Sequence, residues 1–95
     1  MGRPRKPRRC RRFAGDRLFK PQGIPMTDLS VVAIGLDELE AIRLCDVEGL
    51  DQAGAGARMG VSRGTVQRLV KSGREKLARA VLESSALRIG NGGGS

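Results

Sequence analysis

One stretch of the 95-residue chain constrains its fold more than any other. Val66, Leu69, Val70, Gly73, Leu77 and Val81 fall at i, i+3, i+4, i+7, i+11 and i+15, one face of a 3.6-residue period. Ser62, ahead of the first of them, is a good N-cap, so a helix is expected to start there. Gly73 lies inside the pattern and marks a site for a kink or break. A chain this short buries only about 60–65% of its unfolded surface, so such a helix has a thin core to pack on. With two Phe and no Trp or Tyr, that core has to be aliphatic, and little room is left for a deep substrate pocket.

Two further helices precede it. Asp37 can cap the orphan amides of the first, and Glu38 and Glu40 suit its positive end. The apolar residues Leu39, Ala41, Ile42, Leu44, Cys45 and Val47 lie most of the way round that helix, so cap and propensity identify it, not amphipathy. Gly49 ends it. Asp51 is the N-cap of the second, Gln52 to about Met59, in which Gly54 and Gly56 each cost roughly 1 kcal/mol relative to Ala. Val31-Val32-Ala33-Ile34 is a short β-branched run with Leu87-Arg88-Ile89 as its candidate partner. The expected fold is therefore mainly α. It comprises a basic N-terminal arm over 1–30, irregular and pinned by Phe13, Leu18, Phe19, Ile24 and Met26, a three-helix domain over 31–89 with a two-stranded pairing open to it, and a flexible tail over 90–95.

The net charge is +8, and its placement is more telling than its size. Arg3, Arg5, Lys6, Arg8, Arg9, Arg11, Arg12, Arg17 and Lys20 face a single acid, Asp16, in the first twenty residues. Asp28, Asp37, Glu38, Glu40, Asp46, Glu48 and Asp51 then face only Arg43. Arg63, Arg68, Lys71, Arg74, Lys76 and Arg79 face only Glu75. Two segregated basic blocks are the footprint of a polyanion binder. Cys10 and Cys45, with no His in the chain, form neither a disulfide framework nor a metal signature. Cys45 reads as a small core residue. No run approaches the ~20 apolar residues of a membrane span, and the basic N-terminus lacks an apolar segment after it, so a cytoplasmic protein is expected. No His, no Tyr and no paired nucleophile and base leave an enzyme without a cast, and no cofactor is expected.

The second and third helices meet the demands of a helix-turn-helix centred on 51–71. Gly56 is the small residue at the crossing and Gly60 the turn. Ala55 and Met59 face inward, and Val61, Val66 and Leu69 close the core from the other side. Ser62 then caps a helix whose outward residues are Arg63, Gly64, Thr65, Gln67, Arg68 and Lys71. These are the types that base edges and phosphates require: Arg for guanine, Gln for adenine, Thr for a thymine methyl or a phosphate. Glu75, Lys76 and Arg79 lie further along, as backbone contacts or solvated charges.

Leu36-Asp37-Glu38-Leu39-Glu40-Ala41-Ile42-Arg43-Leu44, Glu48-Gly49-Leu50 and the run Met59 to Arg68 together resemble the promoter-reading region 4 of sigma factors. More closely, the chain resembles a family of small uncharacterised prokaryotic proteins carrying that helix-turn-helix. It shares their basic N-terminus, a Phe19-Lys20-Pro21-Gln22-Gly23-Ile24-Pro25 segment and an Ala86-Leu87-Arg88-Ile89 ending. Such proteins usually carry Glu and Ala where this chain has Gly54 and Gly56. The resemblance implies a DNA-binding role without naming a target.

Gly2-Arg3-Pro4 followed by Arg5-Lys6-Pro7 resembles the core of an AT-hook, which lays arginines along a narrow minor groove. Diffuse attraction of Arg3, Arg5, Lys6, Arg8 and Arg9 to phosphates is the alternative for this arm. The expected function is sequence-specific duplex DNA binding by a transcriptional regulator, with helix 62–72 in the major groove and a homodimer as a candidate assembly. The alternative is an RNA-binding or RNA-polymerase-associated accessory module. Against RNA stands the lack of stacking aromatics.

Overall fold

A computed structural model of the protein describes residues 17–90. The arm residues Arg3, Arg5, Lys6, Arg8 and Arg9, and the tail beyond Gly90, lie outside the described residues. The elements run in the order β1 (Arg17–Phe19), a 3-10 turn (Met26–Asp28), β2 (Val31–Ile34), α1 (Leu36–Ile42), a π-helical turn (Arg43–Val47), α2 (Gln52–Met59), α3 (Arg63–Leu82) and β3 (Ala86–Ile89). The fold is mainly helical with one small sheet, as the sequence led us to expect.

The sheet has three strands where two were expected, in the order β1-β3-β2. The pairing of 31–34 with the C-terminal run is present and parallel, with Val32 opposite Leu87 and Ile34 opposite Ile89. β1 adds to the free edge of β3, antiparallel, with Phe19 opposite Leu87. Residues 17–19 are thus strand where an irregular arm was expected; three residues bounded by turn signals were too short to show a period of two. Gly90, assigned by sequence to the tail, instead donates its N–H to Ile34 O at 3.3 Å and continues the ladder.

Two apolar clusters meet at α1. Ala41 and Leu44 pack with Ala55 of α2 and Val66 and Val70 of α3, joined by Cys45, Leu50, Met59 and Leu69. Leu39 and Ile42 pack the other way, with Leu77 of α3 and with Leu36, Ile34, Leu87 and Ile89 on or beside the sheet. A helix wedged between two cores has to be apolar nearly all round, which is why α1 showed no amphipathic stripe. Val47 escapes both and is 76% exposed. Gly49, at φ +83, stops the segment, and Leu50 N–H closes back on Leu44 O at 3.0 Å.

The N-cap of α1 lies two residues earlier than expected. Gly35, not Asp37, is its N-cap, and Asp37 lies in the first turn, accepting from Glu38 N–H at 2.8 Å. α3 runs unbroken for 20 residues through Gly73, where a kink or break was expected. Gly73 serves packing: a Cβ there would lie 2.5 Å from Ile42 Cδ1 and 3.3 Å from Glu38 Cβ. Val81, expected on the inward face, is 79% exposed, while its neighbour Ala80 is buried.

Candidate nucleic-acid interface

α2 begins where Asp51 accepts from Gly54 N–H at 2.7 Å, the bond expected of an N-cap. Gly54 fits that cap closely, since a Cβ on it would lie 3.1 Å from Asp51 Oδ1. Gly60, at φ +75, ends α2 in the left-handed conformation that glycine adopts without strain. Only Val61 and Ser62 remain before α3. The closeness of this turn depends on Gly56, where a Cβ would approach Val61 O to 2.6 Å. Gly56 is therefore required where α2 meets the turn, as expected. Val61 does not join the core as the sequence suggested; it is exposed, with its carbonyl turned toward Gly56.

α3 begins at the expected residue. Ser62 Oγ accepts from Thr65 N–H at 3.1 Å, and the two hydroxyls lie 2.9 Å apart. Val66 and Val70 are buried, which leaves Arg63, Gln67, Arg68 and Lys71 exposed along one stripe, with Ser62 exposed at its head. Gly64 and Thr65 are half-buried at the margin of that stripe. Arg63, Arg68 and Lys71 form no ion pair among the described residues. Arg68 Nη2 donates to Thr65 Oγ1 at 3.3 Å.

The cations further along α3 are engaged within the molecule, including Lys76 and Arg79, which sequence had assigned to backbone contacts or to solvent. Arg74 grips Asp46 with Nη2 at 2.6 Å and Nε at 3.1 Å. Arg79 pairs with Glu75 at 2.9 Å along the helix surface. Lys76 Nζ donates to both carboxylate oxygens of Glu38, at 2.9 and 2.8 Å. Glu38 also accepts from Gly35 N–H at 2.8 Å and from the Ser72 hydroxyl. Its side chain is only 8% exposed. Burial alone would raise the Glu38 carboxyl; the bonds from Lys76, Ser72 and the Gly35 amide outweigh it and hold the carboxyl below its ordinary range. The sequence marked Glu38 only as an acid near a helix start. Its position three residues after Gly35 was a readable capping signal, but nothing local pointed to Ser72 and Lys76.

The acidic segment is consumed in the same way. Arg43 donates to Glu40 and to Glu48, and the Arg43 bond holds the Glu40 carboxyl low against its partial burial, with Arg58 assisting. Asp46 is likewise lowered by its bond to Arg74. Among the described residues, the cations of α3 that form no ion pair therefore all lie in its N-terminal half.

All of residues 1–95 match the family model described as protein of unknown function DUF134. The chain belongs to that family. Relatives of this DUF134 chain, each named UPF0251 protein, occur in bacteria and archaea. That of Pelotomaculum thermopropionicum is 48% identical over 97% of this chain and 70% of its own length. That of Halothermothrix orenii is 48% identical over 97% of this chain and 68% of its own. That of Methanosarcina acetivorans is 44% identical over 96% of this chain and 81% of its own. Other relatives are longer, and the chain spans 64% of the protein from Rhodospirillum rubrum and 60% of that from Desulforudis audaxviator. No solved structure matches it. Among the described residues, no helix is long and apolar enough to cross a membrane.

Proposed function

We propose that this protein binds duplex DNA sequence-specifically and regulates transcription, with residues 62–72 of α3 in the major groove and α2 as the supporting helix. One observation carries the reading. Arg63, Gln67, Arg68 and Lys71 share an exposed stripe at the start of α3, and its three cations form no ion pair among the described residues, while Arg74, Lys76 and Arg79 beyond it do. Unneutralised cations at a helix N-terminus, whose dipole adds to their charge, suit a polyanion. Arg and Gln are the residue types that discriminate bases in the major groove.

The basic arm over residues 1–12 supplies sequence-independent grip in this proposal. Deleting it lowers affinity for all duplexes alike and flattens the salt dependence by about 0.9 in log–log slope for each phosphate that the arm neutralises. Selection from random duplex DNA, with single-stranded RNA as competitor, tests the main reading. Enrichment of a defined duplex site supports it; binding carried off by RNA, with no duplex enriched, contradicts it.

A further inference from the structure

The segment Ser62-Arg63-Gly64-Thr65 does more than cap a helix. Arg68 lies one turn beyond Thr65, and its side chain runs back toward the start of α3, as helical side chains do. Two features hold it there. Thr65 Oγ1, itself 2.9 Å from Ser62 Oγ, accepts from Arg68 Nη2 at 3.3 Å. Gly64 leaves open the space beneath: a Cβ built on it would lie 3.8 Å from Arg68 Nη1, so a longer side chain directed that way would crowd the guanidinium. Arg63 and Lys71 have no hydrogen-bonding partner of this kind among the described residues.

We infer that Gly64 and Thr65 are positioning residues that preset Arg68 to read a guanine, while Arg63 and Lys71 hold phosphates. The inference rests on the DNA-reading function proposed above. A guanidinium carries five N–H donors in a planar fork. One Nη2 hydrogen on Thr65 leaves the other Nη2 hydrogen and those of Nη1 for the O6 and N7 acceptors of a guanine edge. An arginine already held gives up less rotamer freedom on binding, and a fixed fork matches one base edge better than its competitors. Phosphates need no such fixed angle, which suits the side chains of Arg63 and Lys71. Thr65, expected from sequence to touch a thymine methyl or a phosphate, is instead half-buried and turned to its neighbours on the helix.

A role in capping alone gives different results from a role in positioning. Thr65→Val keeps the shape and the backbone N–H that Ser62 caps, but removes the acceptor for Arg68. On the duplex site selected by the wild type, each base pair in turn is replaced and the affinities compared. Thr65→Val is expected to lose about tenfold in discrimination at one G·C pair, the same pair at which Arg68→Ala loses it. Thr65→Ser, which returns a hydroxyl, restores it, and the double variant Thr65→Val/Arg68→Ala is no worse than Arg68→Ala alone. Gly64→Leu, which replaces glycine by a better helix former, keeps or raises the melting temperature yet loses discrimination at that same pair. Wild-type discrimination in Thr65→Val or Gly64→Leu, or a loss mapped to a different pair from that of Arg68→Ala, overturns the positioning role and leaves the DNA-reading proposal standing. A wild-type protein that enriches no duplex site removes both.

Discussion

The two halves of α3 use the same residue types for opposite ends. From Arg63 to Lys71 the cations face outward and find no acid among the described residues. From Ser72 to Leu82 each has one: Asp46 for Arg74, Glu38 for Lys76 and Glu75 for Arg79. Two of those acids, Asp46 and Glu38, come from the α1 segment, so part of the acidic block pairs with the second basic block in the folded protein. Counting charge along a chain overstates the positive surface; what matters is which cations the fold leaves unneutralised. The first half is thereby free to meet a partner, and the second half ties α3 to α1 and, through Leu77, to the sheet.

Substitutions in the two halves should therefore separate, stability on one side and binding on the other. The largest expected effect is that of Lys76→Met, which leaves Glu38 buried with its charge unpaired. Allowing for the partly exposed lysine, it should cost about 2–3 kcal/mol in denaturant unfolding at pH 7. The pair also has a pH signature. Because the Glu38 carboxyl is held low in the folded state, its contribution is fully present above about pH 5 and is lost as the pH falls through its folded value. Lys76→Met should flatten that acid limb; an unchanged limb would mean the pair contributes nothing. Next comes Gly56→Ala. It gains helix propensity, yet the new Cβ meets the Val61 carbonyl, and a net loss of about 1–2 kcal/mol is expected in the same assay. Arg63→Ala should leave unfolding unchanged and cost about 1 kcal/mol in binding to a selected duplex, less on raising salt. Arg79→Ala, which breaks an exposed pair along one helix, is the smallest: under about 0.5 kcal/mol in stability and nothing in binding. Similar binding losses from Arg63→Ala and Arg79→Ala would erase the distinction between the halves.

Much of this arrangement was readable in the sequence, and the failures share a cause. Asp51 and Ser62 as caps, Gly49 and Gly60 as stops, Gly56 at the crossing and the inward set Val66, Leu69 and Val70 all follow from local chemistry, since each depends on neighbours within a turn or so. The stripe of Arg63, Gln67, Arg68 and Lys71 followed by subtraction. What escaped depends on distant partners. The Glu38–Lys76 pair joins residues 38 positions apart. Gly73 looked like a break because Ile42 cannot be seen beside it in sequence. β1 is a strand only because β3 offers it an edge, and Val81 looked like core because periodicity does not tell which positions of a helix its neighbours cover. The relation of Thr65 to Arg68 is local and was legible as an i, i+3 pair, but residue type alone does not say that two outward-facing side chains meet.

In the function proposed here the N-terminal half of α3 reads DNA and the C-terminal half does not. Binding of Arg68→Ala and Arg79→Ala, each to the selected duplex and to a scrambled one at a single salt concentration, tests it directly. Arg68→Ala should weaken binding to the selected duplex by roughly 5- to 100-fold with little change on the scrambled one, and Arg79→Ala should match the wild type on both. Equal losses from the two variants, or full retention of the selected-over-scrambled preference by Arg68→Ala, would contradict it.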